Sequence, residues 1–148
     1  MRTDARWLPL VGLVLALAGA ASAQELLLRR GREVYIAEGC IHCHSQYVRP
    51  DTDDAVWWGP VRPLQELERQ HPPLFGNRRQ GPDLLNVGAR RSAEWLRLQL
   101  QSPRIAMPGS RMPSYAHLFR NGRQEGEALL AYLLSLRPPE PAPRSNLN

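Results

Sequence analysis

Cys40-Ile41-His42-Cys43-His44 is the stretch on which the reading of this chain turns. Two cysteines separated by two residues and followed at once by a histidine form the C-x-x-C-H attachment signature of a c-type haem. The chemistry explains the spacing: two thiols one helical turn apart can each add across one of the two vinyl groups of a single porphyrin, and the next residue then sits under the iron. His44 is therefore the expected proximal ligand, offering one ring nitrogen to iron while the other donates to a backbone carbonyl that fixes the tautomer. Two other chemistries use a C-x-x-C pair. A thioredoxin-like redox pair belongs at the end of a strand in a βαβ unit, and no strand pattern precedes Cys40. A structural zinc site needs four ligands in tetrahedral array, and Cys40 and Cys43 are the only cysteines. His42, between them, is expected to be exposed.

Outward from the motif, Leu27, Gly31, Val34 and Tyr35 fall on one helical face and predict a helix over 25–38 that runs straight into Cys40. Gly31 in mid-helix costs about 1 kcal/mol relative to alanine, which makes sense if another helix crosses closely there. Residues 45–79 show no sustained period. Trp57, Trp58 and Phe75 are the haem-edge or core candidates within them, with ordinary packing as the equal alternative. Asp51 to Asp54 are expected to be solvated. In Gly81-Pro82-Asp83-Leu84 the Pro82 carbonyl is free to accept from the unligated nitrogen of His44, the alternative being a plain turn.

Ser92 makes an N-cap for a helix over 93–101 that carries Trp95, Leu96, Leu98 and Leu100, and Pro103 ends it. A buried Trp95 wants a partner for its indole N–H, and a haem propionate is one. Met107-Pro108-Gly109-Ser110-Arg111-Met112-Pro113-Ser114-Tyr115 follows. The sixth iron position of an electron carrier is commonly a methionine thioether. Besides Met1 the chain has only Met107 and Met112, both in a rigid Pro-flanked loop, so either residue can serve. Leu129, Tyr132, Leu133 and Leu136 predict a last helix over 124–136, packed across the helix of Gly31 and Tyr35.

The chain has 148 residues, enough for one domain, with 14 prolines and 11 glycines that assign much of it to loops. All 19 basic residues are arginine, for a formal charge of +5. Neither a recognition helix nor aromatics interleaved with arginine accompanies that charge, so nucleic acid is set aside as a partner. Nine arginines lie between Arg78 and Arg123 against only Asp83 and Glu94. Around a haem they suit its propionates and the acidic face of a redox partner; solvated loop side chains are the alternative. Residues 1–23 read as an export signal: Arg2 and Arg6, an apolar core from Trp7, and an Ala21-Ser22-Ala23 cleavage site. The 17 residues from Trp7 to Ala23 also lie at the short limit for an uncleaved anchor. Either way the remainder is expected in the periplasm, soluble or attached to the inner membrane. The domain then covers 24–137, and 138–148 form a Pro-rich disordered tail.

The order of elements resembles a class I cytochrome c, an all-α fold wrapped on one covalently bound haem. Gly31-Arg32-Glu33-Val34-Tyr35, Glu38-Gly39-Cys40, Cys43-His44-Ser45-Gln46, Arg49-Pro50, His71-Pro72, Gly81-Pro82-Asp83-Leu84, Val87-Gly88, Glu94-Trp95 and Met112-Pro113-Ser114-Tyr115 sharpen it. These motifs are similar in kind and order to those of the monohaem c-type subunit of cbb-type haem-copper oxidases. The resemblance implies that Cys40 and Cys43 hold the haem, that His44 is proximal and that Met112 rather than Met107 is distal, since the Met-Pro-x-Tyr pattern fits only there. It also implies one haem c, single-electron transfer in a respiratory chain, redox proteins as partners, cbb-type oxidase subunits among them, and no bond chemistry by the polypeptide itself. The chain departs from the pattern at its cleavage site and over 51–69. Two enzyme readings stand beside the carrier: a peroxidase-like haem protein with a labile sixth ligand, and a disulfide oxidoreductase.

Overall fold

The computed structural model describes the backbone of residues 8–120 and 122–139, with side chains from residue 22 onward. Among these residues are eight α-helices, a 3-10 turn and no strand, so the all-α expectation holds. Helix α1 (Leu8–Ala37) begins well before residue 25, where periodicity placed its start. Residues 8–23 are rich in alanine and leucine, among the strongest helix formers, and Pro9 sits in the first turn, where its missing N–H is tolerated. Their apolar run carries no amphipathic period, so only the second half of the helix was legible as one. Residues 1–7 of the expected leader and 140–148 of the expected tail lie outside the described residues. From residue 22 onward no helix is long and apolar enough to cross a membrane.

The last helix, α8 (Glu125–Ser135), packs across α1, as the apolar faces of the two predict. Gly31 marks the crossing: a Cβ there would collide with the Ala128 carbonyl and the Tyr132 side chain. Only a residue without one lets the backbones come that close. One turn further on, the rings of Tyr35 and Tyr132 meet edge to face, 5.9 Å between centroids. Val34, Tyr35, Leu129 and Leu133 are buried around this contact. Removing each such side chain from water contributes roughly 1.5–3 kcal/mol.

Helix α2 (Cys40–Cys43) is a single turn directly after α1. Helix α6 (Ala93–Gln101) has the expected bounds and cap: Ser92 Oγ accepts from the Trp95 N–H at 3.3 Å. Leu96 and Leu100, one turn apart, are both buried, whereas Leu98 is exposed. Between α2 and α6 the chain is not structureless. It contains α3 (Asp54–Trp58), α4 (Leu64–Glu68) and α5 (Val87–Arg90), each too short to show a period in sequence. Helix α7 (Pro103–Ala106) follows α6.

The expectation that Asp51 to Asp54 are solvated fails at Asp54, which is 8% exposed. Arg49 grips both its oxygens, each at 2.8 Å, and Arg79 adds a third contact at 2.7 Å. Hydrogen bonds from Arg49 hold the Asp54 carboxyl down to about 2. A carboxyl whose pKa is depressed by folding stabilises the fold in full above its unfolded pKa and ceases to do so as pH falls through the folded value. The chain is therefore expected to lose stability between about pH 5 and pH 2, and the Asp54→Asn variant to lose less over that interval. Urea midpoints at both ends of the range read the difference; equal losses in the two proteins refute the assignment.

Candidate functional site

A cavity of about 550 Å³ opens between α2, α6, α8 and residues 107–115. That is a volume typical of sites for small organic ligands. Leu84, Val87, Leu96, Leu100, Leu129 and Leu133 give it apolar walls, and Cys40, Cys43, His44, Pro82, Trp95 and Met112 all line it. Residues spread over more than seventy positions of sequence thus converge on one volume.

Cys40 and Cys43 stand at the two ends of the single turn of α2, and His44 leaves it in extended conformation. Cys40 is buried, which pushes its thiol up to about 12, with the nearby Glu38 adding to the effect. A thioredoxin-like pair needs a thiolate at neutral pH, so this environment disfavours that chemistry. His42 is exposed, as expected.

Three backbone bonds hold the segment after the motif against the segment around Gly81. Gly81 N–H donates to Cys43 O at 2.9 Å, Leu84 N–H to Ser45 O at 2.8 Å and Arg78 N–H to His42 O at 3.1 Å. This places Pro82 O 2.8 Å from His44 Nδ1. Proline has no N–H of its own to compete, and with the proton on Nδ1 the lone pair is left on Nε2. A Cβ at Gly81 would meet the His44 ring, so the bare backbone lets the imidazole come close to it. Burial lowers the His44 pKa and keeps the ring neutral, the form in which histidine ligates a metal.

Beneath this pair lies Asp83, to which the sequence reading assigned no role. Its side chain is fully buried. Ser45 Oγ donates to Oδ2, Tyr47 N–H donates to the same oxygen at 2.9 Å, and Leu85 N–H donates to Oδ1 at 2.8 Å. Arg79 stands 3.9 Å away. The carboxylate therefore ties the chain after His44 to the chain after Pro82.

Of the two methionines, Met112 packs against the core and Met107 is 51% exposed, though both reach the cavity. The methionine loop is tied to the end of α6: Tyr115 N–H donates to Leu100 O at 2.8 Å and Ser114 Oγ to Gln101 O at 2.6 Å. Gln99 Nε2 lies 3.3 Å from Met112 Sδ. Trp95 is half-buried at the cavity wall with the Arg91 guanidinium 4.6 Å from its ring centroid.

Among Trp57, Trp58 and Phe75, only Trp58 lines the cavity, where Arg90 stacks 5.1 Å from its ring centroid. Trp57 is 67% exposed, and Phe75 packs on Tyr47 instead. The arginine cluster also divides: Arg90, Arg91 and Arg111 line the cavity, whereas Arg79 pairs with Asp54 and Arg97 with Glu127.

These residues fit a c-type haem. Two thiols, a neutral imidazole with one nitrogen engaged, a thioether, apolar walls for the porphyrin and cationic groups for its carboxylates meet in one cavity. The family model described as cytochrome c oxidase, mono-heme subunit/FixO, matches residues 18–136. No curated protein matches the chain.

Proposed function

The chain belongs to the family of mono-haem subunits of cytochrome c oxidase, and from that premise we propose that its cavity holds one covalently attached haem c through which it passes single electrons. The observation that carries this reading is the meeting of two thiols, an imidazole and a thioether on one apolar cavity. Cys40 and Cys43 would hold the porphyrin, and His44 and Met112 would ligate its iron. Pro82 fixes the His44 tautomer, and Trp95, Arg90, Arg91 and Arg111 attend the propionates. Haem c, when bound, supplies an iron that takes up and returns one electron. With an imidazole and a thioether from the chain both committed to the iron, the polypeptide would act as a carrier rather than a catalyst.

The compartment is the periplasm, with residues 1–23 directing export as a cleaved leader or as an anchor. The partners are redox proteins, and subunits of a cbb-type oxidase fit the family. Exposed Arg104, outside the cavity lining, suits an acidic face on such a partner.

Absorption spectra and a denaturing gel of the matured protein test this reading. Haem is expected to stay on the denatured chain, and the ferric protein to be low-spin with a weak near-infrared methionine-to-iron band. A high-spin ferric spectrum overturns the carrier in favour of a peroxidase-like protein with a labile sixth ligand. A colourless product removes the haem altogether.

A further inference from the structure

We infer that Gln99 is a positioning residue for the distal thioether, donating its side-chain N–H to Met112 Sδ and thereby setting the reduction potential and holding the sulfur on the iron. This rests on the reading of Met112 as axial ligand.

Gln99 belongs to α6, immediately before Leu100 and Gln101, where the methionine loop is tied down, and lines the cavity with Met112. Its Nε2 is 3.3 Å from Met112 Sδ, close for a hydrogen bond to sulfur. Its Oε1 is buried without a partner. Of the two ends of this side chain it is the nitrogen that has a partner, and that partner is the Met112 sulfur. A thioether sulfur has two lone pairs. If one goes to iron, the other remains to accept from Gln99, and the thioether is locked in orientation by a donor on a rigid helix. The N–H also draws electron density from the sulfur, which makes it a poorer donor to ferric iron and favours the ferrous state. Hydrogen bonding around the axial ligand is one of the levers by which a protein tunes a haem.

The test uses the full-length, haem-loaded protein and the variants Gln99→Leu, Gln99→Asn and Gln101→Leu. Gln99→Leu removes the donor at similar volume. Gln99→Asn keeps an amide but withdraws it by one methylene. Gln101→Leu alters the same helix near its end and leaves the Met112 donor in place. The expected result is a lower midpoint potential, a shifted near-infrared band and earlier loss of that band as pH rises, in both Gln99 variants and not in Gln101→Leu.

Wild-type values in the Gln99 variants, an upward potential shift, or the same change in all three variants overturns the inference. A near-infrared band that survives in Met112→Ala means instead that the ligand reading itself is wrong. A band lost in Met112→Ala but indifferent to Gln99 refutes the positioning role alone.

Discussion

Met112→Ala is expected to abolish the near-infrared band and to lower the reduction potential by on the order of 0.1–0.3 V, a fraction of the roughly 0.8 V over which axial ligands set haem potentials. Thioether sulfur favours ferrous iron, and a water or hydroxide in its place favours ferric iron. Met107→Ala is expected to leave both quantities nearly unchanged. Met107 is half exposed on the rim, and Met112 sits inward against the core with its sulfur beside Gln99. Redox titration with near-infrared spectra of the two variants decides the assignment, and the opposite pattern transfers the distal role to Met107.

The largest effect on stability is expected at Asp83. Its carboxylate is wholly buried and takes three hydrogen bonds, from Ser45, Tyr47 and Leu85, with Arg79 close by. Asp83→Ala strands those donors and leaves Arg79 with less to face. Leaving a buried donor unsatisfied costs about 1–3 kcal/mol, so three stranded at once take a large share of the roughly 5–15 kcal/mol that holds a small domain folded. Asp83→Asn keeps the shape but turns an amide N–H toward backbone N–H groups, so it is expected to cost about 1–3 kcal/mol. The exposed neighbour-type control, Asp53→Ala, should stay within about 0.5 kcal/mol. Urea denaturation of the holoprotein measures all three, and an Asp83→Ala protein as stable as the control removes Asp83 from the account. The consequence reaches the site because Asp83 joins the segments carrying His44 and Pro82.

Much of the molecule could be read without coordinates because the signals are short-range. The thiol spacing at Cys40 and Cys43 fits one helical turn, Ser92 caps the helix that begins one residue later, and Gly31 marks a close crossing within an amphipathic face. The Pro82 carbonyl is one of two readings of its segment, the other a plain turn, and it lies beside His44 Nδ1. Periodicity failed where elements are only five residues long, as in α3 and α4, and where an apolar run has no polar face, as at the start of α1.

The sequence by itself determined the chemistry on offer, because cysteine, histidine and methionine declare their donor atoms and local spacing says which of them share a turn. Tertiary structure alone decided how those groups are supported. Asp83 meets Ser45 across 38 positions, Arg79 meets Asp54 across 25, and Gln99 meets Met112 across 13. No local period encodes such pairings. They exist only once the segments that carry them have been brought together, since a side chain's burial and its hydrogen-bond partner are properties of the folded neighbourhood rather than of the residue.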